Sequence, residues 1–118
     1  MTIKKSAANM PPATPLELTS LVDYQQDAVV SRTLLQDEIG TYTVFSFDQG
    51  QGLSEHTSPF DAFVQILEGQ AEITIGGQTV TAEAGQLILM PGGVPHKLHA
   101  VQSFKMLLTL FRTQVKAS

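Results

Sequence analysis

The sequence predicts an all-β domain of short strands, closed as a barrel in preference to an open sandwich. Three observations predict it. Apolar and polar residues alternate over short stretches, most plainly where Ala71, Ile73 and Ile75 interleave with Glu72 and Thr74, the period of a half-buried strand. Turn signals carrying glycine recur at close spacing, among them Gly76-Gly77 and Pro91-Gly92-Gly93. No convincing long helical run interrupts them, and closure into a barrel removes exposed edges while creating an interior pocket.

The elements follow in order. Residues 1–15, with Pro11, Pro12 and Pro15, offer little to pack and read as a flexible N-terminal arm; residues 16–118 form a single domain. Leu16 to Gln26 fits either a short helical turn or a strand. From Ala28 the pattern is β: Val29, Val30, Thr33, Leu34 and Leu35 favour a strand, and Glu38-Ile39-Gly40 turns it. Thr41 to Phe47 forms the next strand, and Asp48 to Gly52 is rich in turn residues. Ala62 to Leu67, Ala71 to Ile75, Gln78 to Thr81, Gln86 to Met90, Pro95 to Ala100 and Phe104 to Phe111 complete the set. Leu87-Ile88-Leu89-Met90 reads as core, and so does the face shared by Phe104, Met106, Leu108 and Leu110. Met90 and Met106 have a second use as adaptable cavity lining.

Composition narrows the function classes. A chain of 118 residues supports one core, and 42% hydrophobic against 15% charged residues is ordinary for a globular domain. The net charge of −4 and the scattered lysines and arginines argue against nucleic acid or an anionic membrane as partner. The absence of cysteine removes disulfides and thiolate chemistry. No signal-peptide core or spanning apolar run is present, so the cytoplasm is the expected location. No phosphate loop, GxSxG elbow or HExxH helix occurs.

Two stretches resemble the paired motifs of the cupin superfamily. Gly85, Pro91-Gly92-Gly93 and His96 sit at the spacing of the second motif, with Ala100 where an asparagine would stand. Gly50, His56 and Gly69 fit the first, but Ser58 replaces its second histidine and Ala62 its glutamate. The resemblance covers roughly residues 28–111 and implies a cupin-type double-stranded β-helix, or jelly-roll barrel, with the motif side chains inside. Strand parity agrees. Ala62, Val64 and Ile66 share one face, opposite Asp61, Phe63 and Gln65; His96 shares a face with Leu98 and Ala100, while His99 points the other way.

Cupins typically hold a divalent metal through three histidines and a glutamate, so the resemblance leaves His56 and His96 as metal ligands here. A two-imidazole site suits ions late in the stability order, Ni, Zn or Cu, or else Fe, and not Mg²⁺ or Ca²⁺. The competing expectation is a metal-free pocket in which both histidines are hydrogen-bonded. Asp61 becomes a ligand only if a bulge re-aims it. The expected pocket comprises His56, Ser58, Ala62, Val64 and His96, with both rings inside the barrel. Loss of the glutamate makes that pocket more apolar and suits a small neutral or aromatic ligand; the alternative is a metal-dependent enzyme of dioxygenase, isomerase or lyase type. A homodimer is expected, both from the resemblance and because Val29–Leu35 and Phe104–Phe111 carry apolar residues on both faces.

Overall fold

The structure, a computed structural model, describes residues 8–112. Nine strands follow one another: β1 (Val29–Asp37), β2 (Gly40–Phe47), β3 (Gly52–His56), β4 (Asp61–Glu68), β5 (Gln70–Ile75), β6 (Gln78–Glu83), β7 (Leu87–Met90), β8 (His96–His99) and β9 (Phe104–Phe111). Within Leu16 to Gln26 the only regular element is a single 3-10 turn, Leu18–Ser20. β3 is a strand that the sequence pattern does not signal, because Gly52, Ser54 and Glu55 break any apolar alternation. Two antiparallel sheets result, β1-β2-β9-β4-β7 and β3-β8-β5-β6, packed as a jelly-roll barrel. Gly76 and Gly77, with φ of 57° and 83°, form the two-residue turn between β5 and β6 that only positive-φ residues close well.

Alternation sorts side chains into the space between the sheets. Ala62, Val64 and Ile66 of β4 are all buried, as are His96, Leu98 and Ala100 in and just after β8. Phe47 and Phe104 stack in the same core with ring centroids 4.4 Å apart.

The outer face of the five-stranded sheet is treated in two ways. Over β1, β2 and β9 the chain covers itself: Leu18, Leu21 and Val22 pack on Val30, Leu34, Val44 and Leu107. Polar bonds hold this strap in place. Lys105 Nζ donates to the Thr19 carbonyl at 2.6 Å, Tyr24 donates to Glu68 at 2.6 Å, and Ser46 donates to the Asp23 carbonyl at 2.9 Å. Part of the apolar face expected to need a second copy is thus buried by residues 18–22. The N-terminal arm lies partly outside the described residues; within them, Asn9 Nδ2 reaches the Thr33 carbonyl at 3.4 Å.

Among the described residues, the β7 end of that face is left exposed. Leu87 and Leu89 are 63% and 47% exposed, which corrects the assignment of Leu87–Met90 to the core. The reason is register: Ile88 pairs with Val64 and Met90 with Ala62, so those two turn inward, while Leu87 and Leu89 lie on the outer face beside Gln65 and Phe63. Register aligns Tyr42, Thr109, Phe63 and Leu89 in one row across β2, β9, β4 and β7.

Candidate functional site

β8 brings His96 into the barrel, and β3 brings His56 to meet it. Leu53 pairs with Leu98 and His56 with His96, so three steps along β3 match two along β8. This bulge reverses the strand's parity between the two residues, letting Leu53 and His56 line the same cavity. Without it, residues an odd number apart would face opposite ways.

The rings meet through their Nε2 atoms, 3.1 Å apart, with ring planes 71° from parallel. Each ring is steered from behind: His56 Nδ1 lies 2.7 Å from the Ser54 carbonyl, and His96 Nδ1 lies 3.2 Å from the Val94 carbonyl. A carbonyl only accepts, so both Nδ1 atoms are the natural donors. His96 is 4% exposed, while His56, expected inside, is an exposed residue at the cavity's rim. Burial holds the His96 imidazole below the ordinary histidine range; the Val94 carbonyl pulls it back up, and positive charge on His56 pushes it down again.

Behind the histidines lies a cavity of ≈ 280 Å³. Apart from Ser58 its walls are apolar, including Leu53, Phe60, Ala62, Met90, Leu98 and Met106, and among the described residues no lysine, arginine or carboxylate lines it. Of the expected pocket residues, His56, Ser58, Ala62 and His96 line it; Val64 is fully buried in the core and does not. Leu53 and Phe60 are additions. Leu53 sits on the unsignalled strand, and Phe60 lies in a turn where periodicity gives no direction. Met90 and Met106 are both core and lining.

Asp61 is not among the lining residues. Its Oδ1 accepts the Gly92 N–H at 2.8 Å, and the Gly93 N–H donates to the Ser58 carbonyl at 2.8 Å. These bonds stitch the turn before β4 to the loop before β8. His99 is exposed on the outer face of the four-stranded sheet, beside Glu72 in the register.

Among the described residues, no three histidine, cysteine, aspartate or glutamate side chains gather around one point. The paired Nε2 atoms still suit a metal in part, since each ligand ring has its far N–H held by a carbonyl, the usual outer support of a metal-bound histidine.

The sequence profile of the cupin domain matches residues 43–110, more than half the chain. The chain belongs to the cupin family. Among solved cupin-fold structures, a conserved protein of unknown function from Streptococcus pyogenes is 44% identical, with a TM-score of 0.89, covering 97% of this chain and 100% of the other. A cupin superfamily protein from Desulfitobacterium hafniense is 28% identical, with a TM-score of 0.85 and coverage of 92% and 100%. An uncharacterized protein of Streptomyces coelicolor is 28% identical over 68 residues, 58% of this cupin and 65% of that protein.

Proposed function

We propose that this cupin binds a small organic molecule inside its barrel, with the His56–His96 pair and Ser58 as the polar end of the site. One observation carries it: two imidazoles converge at 3.1 Å on a cavity of ≈ 280 Å³ that is, apart from Ser58, walled by apolar side chains. That volume is near the lower end of ligand sites and suits a molecule of one or two rings. Ala62, 1% exposed and set against the cavity, adds room and no charge.

The same pair supports a second reading as a metal-dependent enzyme. His56 and His96 would hold a divalent transition ion, Ni, Zn, Cu or Fe, with water or substrate completing its shell. Such an ion would supply Lewis acidity toward a substrate oxygen. The chain's own contribution is to fix both rings through the Ser54 and Val94 carbonyls and to keep the interior apolar.

The remaining setting is part of the proposal. No helix among the described residues is long and apolar enough to cross a membrane, and a cytoplasmic protein without nucleic-acid or membrane partners fits the mild negative charge. A second copy is proposed to cover the bare row of Tyr42, Phe63 and Leu89, forming a homodimer.

The test joins a metal assay to a binding assay. Tag-free protein is assayed for metal, then stripped and titrated with small ring compounds by amide NMR. Binding should move the resonances of Leu53, Ala62, Leu98 and Met106, and Ala62→Phe, which fills the cavity, should abolish it. Shifts confined to other surfaces would sink the proposal, whereas stoichiometric iron or copper in fresh protein would favour the enzyme. Ni²⁺ or Zn²⁺ should raise the melting temperature modestly, by mass action on the native state. His56→Ala and His96→Ala should each remove that rise, while His99→Ala should keep it.

A further inference from the structure

The inward-facing series of β9 runs one residue past the strand. Phe104, Met106, Leu108 and Leu110 alternate into the space between the sheets, and the last three line the cavity. Arg112 is the next residue of that series. Its backbone N–H still donates to the Ile39 carbonyl at 2.9 Å, so the chain keeps its course there. The guanidinium stands over the Phe60 ring, 5.9 Å from its centroid. Phe60 is itself a wall of the cavity, in the turn that leads from β3 and His56 into β4. One aromatic ring thus stands between the apolar interior and an exposed cation at its mouth.

That cation has no carboxylate of its own. The two aspartates nearest to it in register are engaged elsewhere. Asp61, opposite Phe111, accepts the Gly92 N–H at 2.8 Å. Asp37, paired with Gly40, accepts the N–H groups of Ile39 and Gly40 at 2.9 and 3.3 Å. Among the described residues the one ion pair joins Lys105 to Glu68. A ring contact at the outer edge of the cation–π range is a weak use of a guanidinium, and it leaves the N–H donors in the guanidinium plane free.

We infer that Arg112 selects a carboxylate: the molecule held in the barrel is a small acid whose apolar body lies against Leu98, Met106 and Leu110 and whose carboxylate emerges beside Phe60 onto the Arg112 fork. This rests on the barrel being a small-molecule pocket, as proposed above. The walls agree with that orientation. A carboxylate deep among Leu98, Met90 and Met106 would lose its water with no cation to answer it, whereas at the mouth it stays partly hydrated and gains a bidentate partner. A neutral amide in the same place would leave the guanidinium charge unanswered.

The experiment uses metal-stripped protein, so that no bound ion holds the acid, at about pH 8, where carboxylates are ionised. Phenylacetate and phenylacetamide, alike in shape and different in charge, are titrated in while backbone amide and arginine Nε–H resonances are followed by NMR. Both compounds should move the resonances of Leu98, Met106 and Leu110. Only phenylacetate should move the Arg112 Nε–H, and it should bind about five- to tenfold tighter than the amide, the scale of one ion pair at a partly exposed rim. Arg112→Gln, at an exposed position, should bring the two compounds within about twofold of each other while leaving the affinity for phenylacetamide unchanged. Arg112→Lys, a point charge without the fork, should keep part of the preference. Equal binding of the two compounds by the wild type, or a preference undiminished in Arg112→Gln, would overturn the role of Arg112 while leaving the pocket proposal intact. Absence of binding by either compound, in protein whose spectrum shows it folded, would overturn both.

Discussion

Asp61→Ala separates two roles for one carboxylate. Sequence position leaves Asp61 beside the vacated glutamate position, where a re-aimed side chain would be a metal ligand. The structure instead spends its Oδ1 on the Gly92 N–H at 2.8 Å, closing the loop before β8 onto the turn before β4. A backbone N–H bonded to an ionised carboxylate contributes about 1.5–3 kcal/mol, and partial exposure reduces this to roughly 1–2 kcal/mol. For a domain of this size that corresponds to a fall in melting temperature of about 5–10 °C. Asp61→Asn keeps an acceptor without the charge and should fall between the wild type and Asp61→Ala. Thermal unfolding of stripped protein, repeated with added Ni²⁺, reads both roles at once. The expected outcome is a lower melting temperature with the Ni²⁺ response retained. If Asp61→Ala melted with the wild type and lost the Ni²⁺ response, the carboxylate would be a ligand and the loop-closing role would be wrong.

Three further outcomes are expected. Gly69 has φ of +74°, and a Cβ there would stand 2.4 Å from the Ser103 carbonyl oxygen, so Gly69→Ala should lower stability by more than about 1 kcal/mol in urea unfolding; an unchanged midpoint would refute the contact. His96 is held below its ordinary value, so the unfolded chain binds more protons than the folded one as pH drops. Stability of stripped protein should therefore be fully present above about pH 6.5 and decline below it. His96→Gln should flatten that decline, and parallel losses in both proteins would place its cause elsewhere. Leu87→Lys and Leu89→Lys, at exposed positions, should raise the dissociation constant of the proposed dimer at least about tenfold in sedimentation without unfolding the barrel. Unchanged sedimentation would remove that face as the interface.

The parts of this molecule legible in the sequence are those governed by strict alternation or by turn chemistry. β4 and β8 obey the period of two, so the inward set Ala62, Val64, Ile66 and the inward His96 follow from position alone. The β5–β6 turn is carried by its two glycines. Alternation fails where partners decide the outcome. Leu87 and Leu89 belong to a strand whose four residues are all apolar, and only its pairing with β4 shows which two remain outside. The strap is equally silent, since Leu18, Leu21 and Val22 acquire their role from a face formed by β1, β2 and β9, distant in sequence. Part of the candidate site follows from spacing, but Leu53 and Phe60 do not, and neither does the meeting of the two Nε2 atoms, which depends on a register slip that no local preference encodes.

That slip has an evolutionary reading. β3 is the edge strand of its sheet and pairs with β8 alone, so a change of length within it disturbs one partner. Deleting Ser54 or Glu55 would remove the bulge and leave Leu53 and His56 two residues apart on a regular strand, so both would still face the cavity. The extra residue of β3 is thus a codon-sized change of length that an edge strand absorbs as a bulge, with the two-imidazole pocket kept either with it or without it. The margin of this scaffold can therefore change length without loss of its paired imidazoles, a tolerance that tallies of amino-acid replacements would overlook.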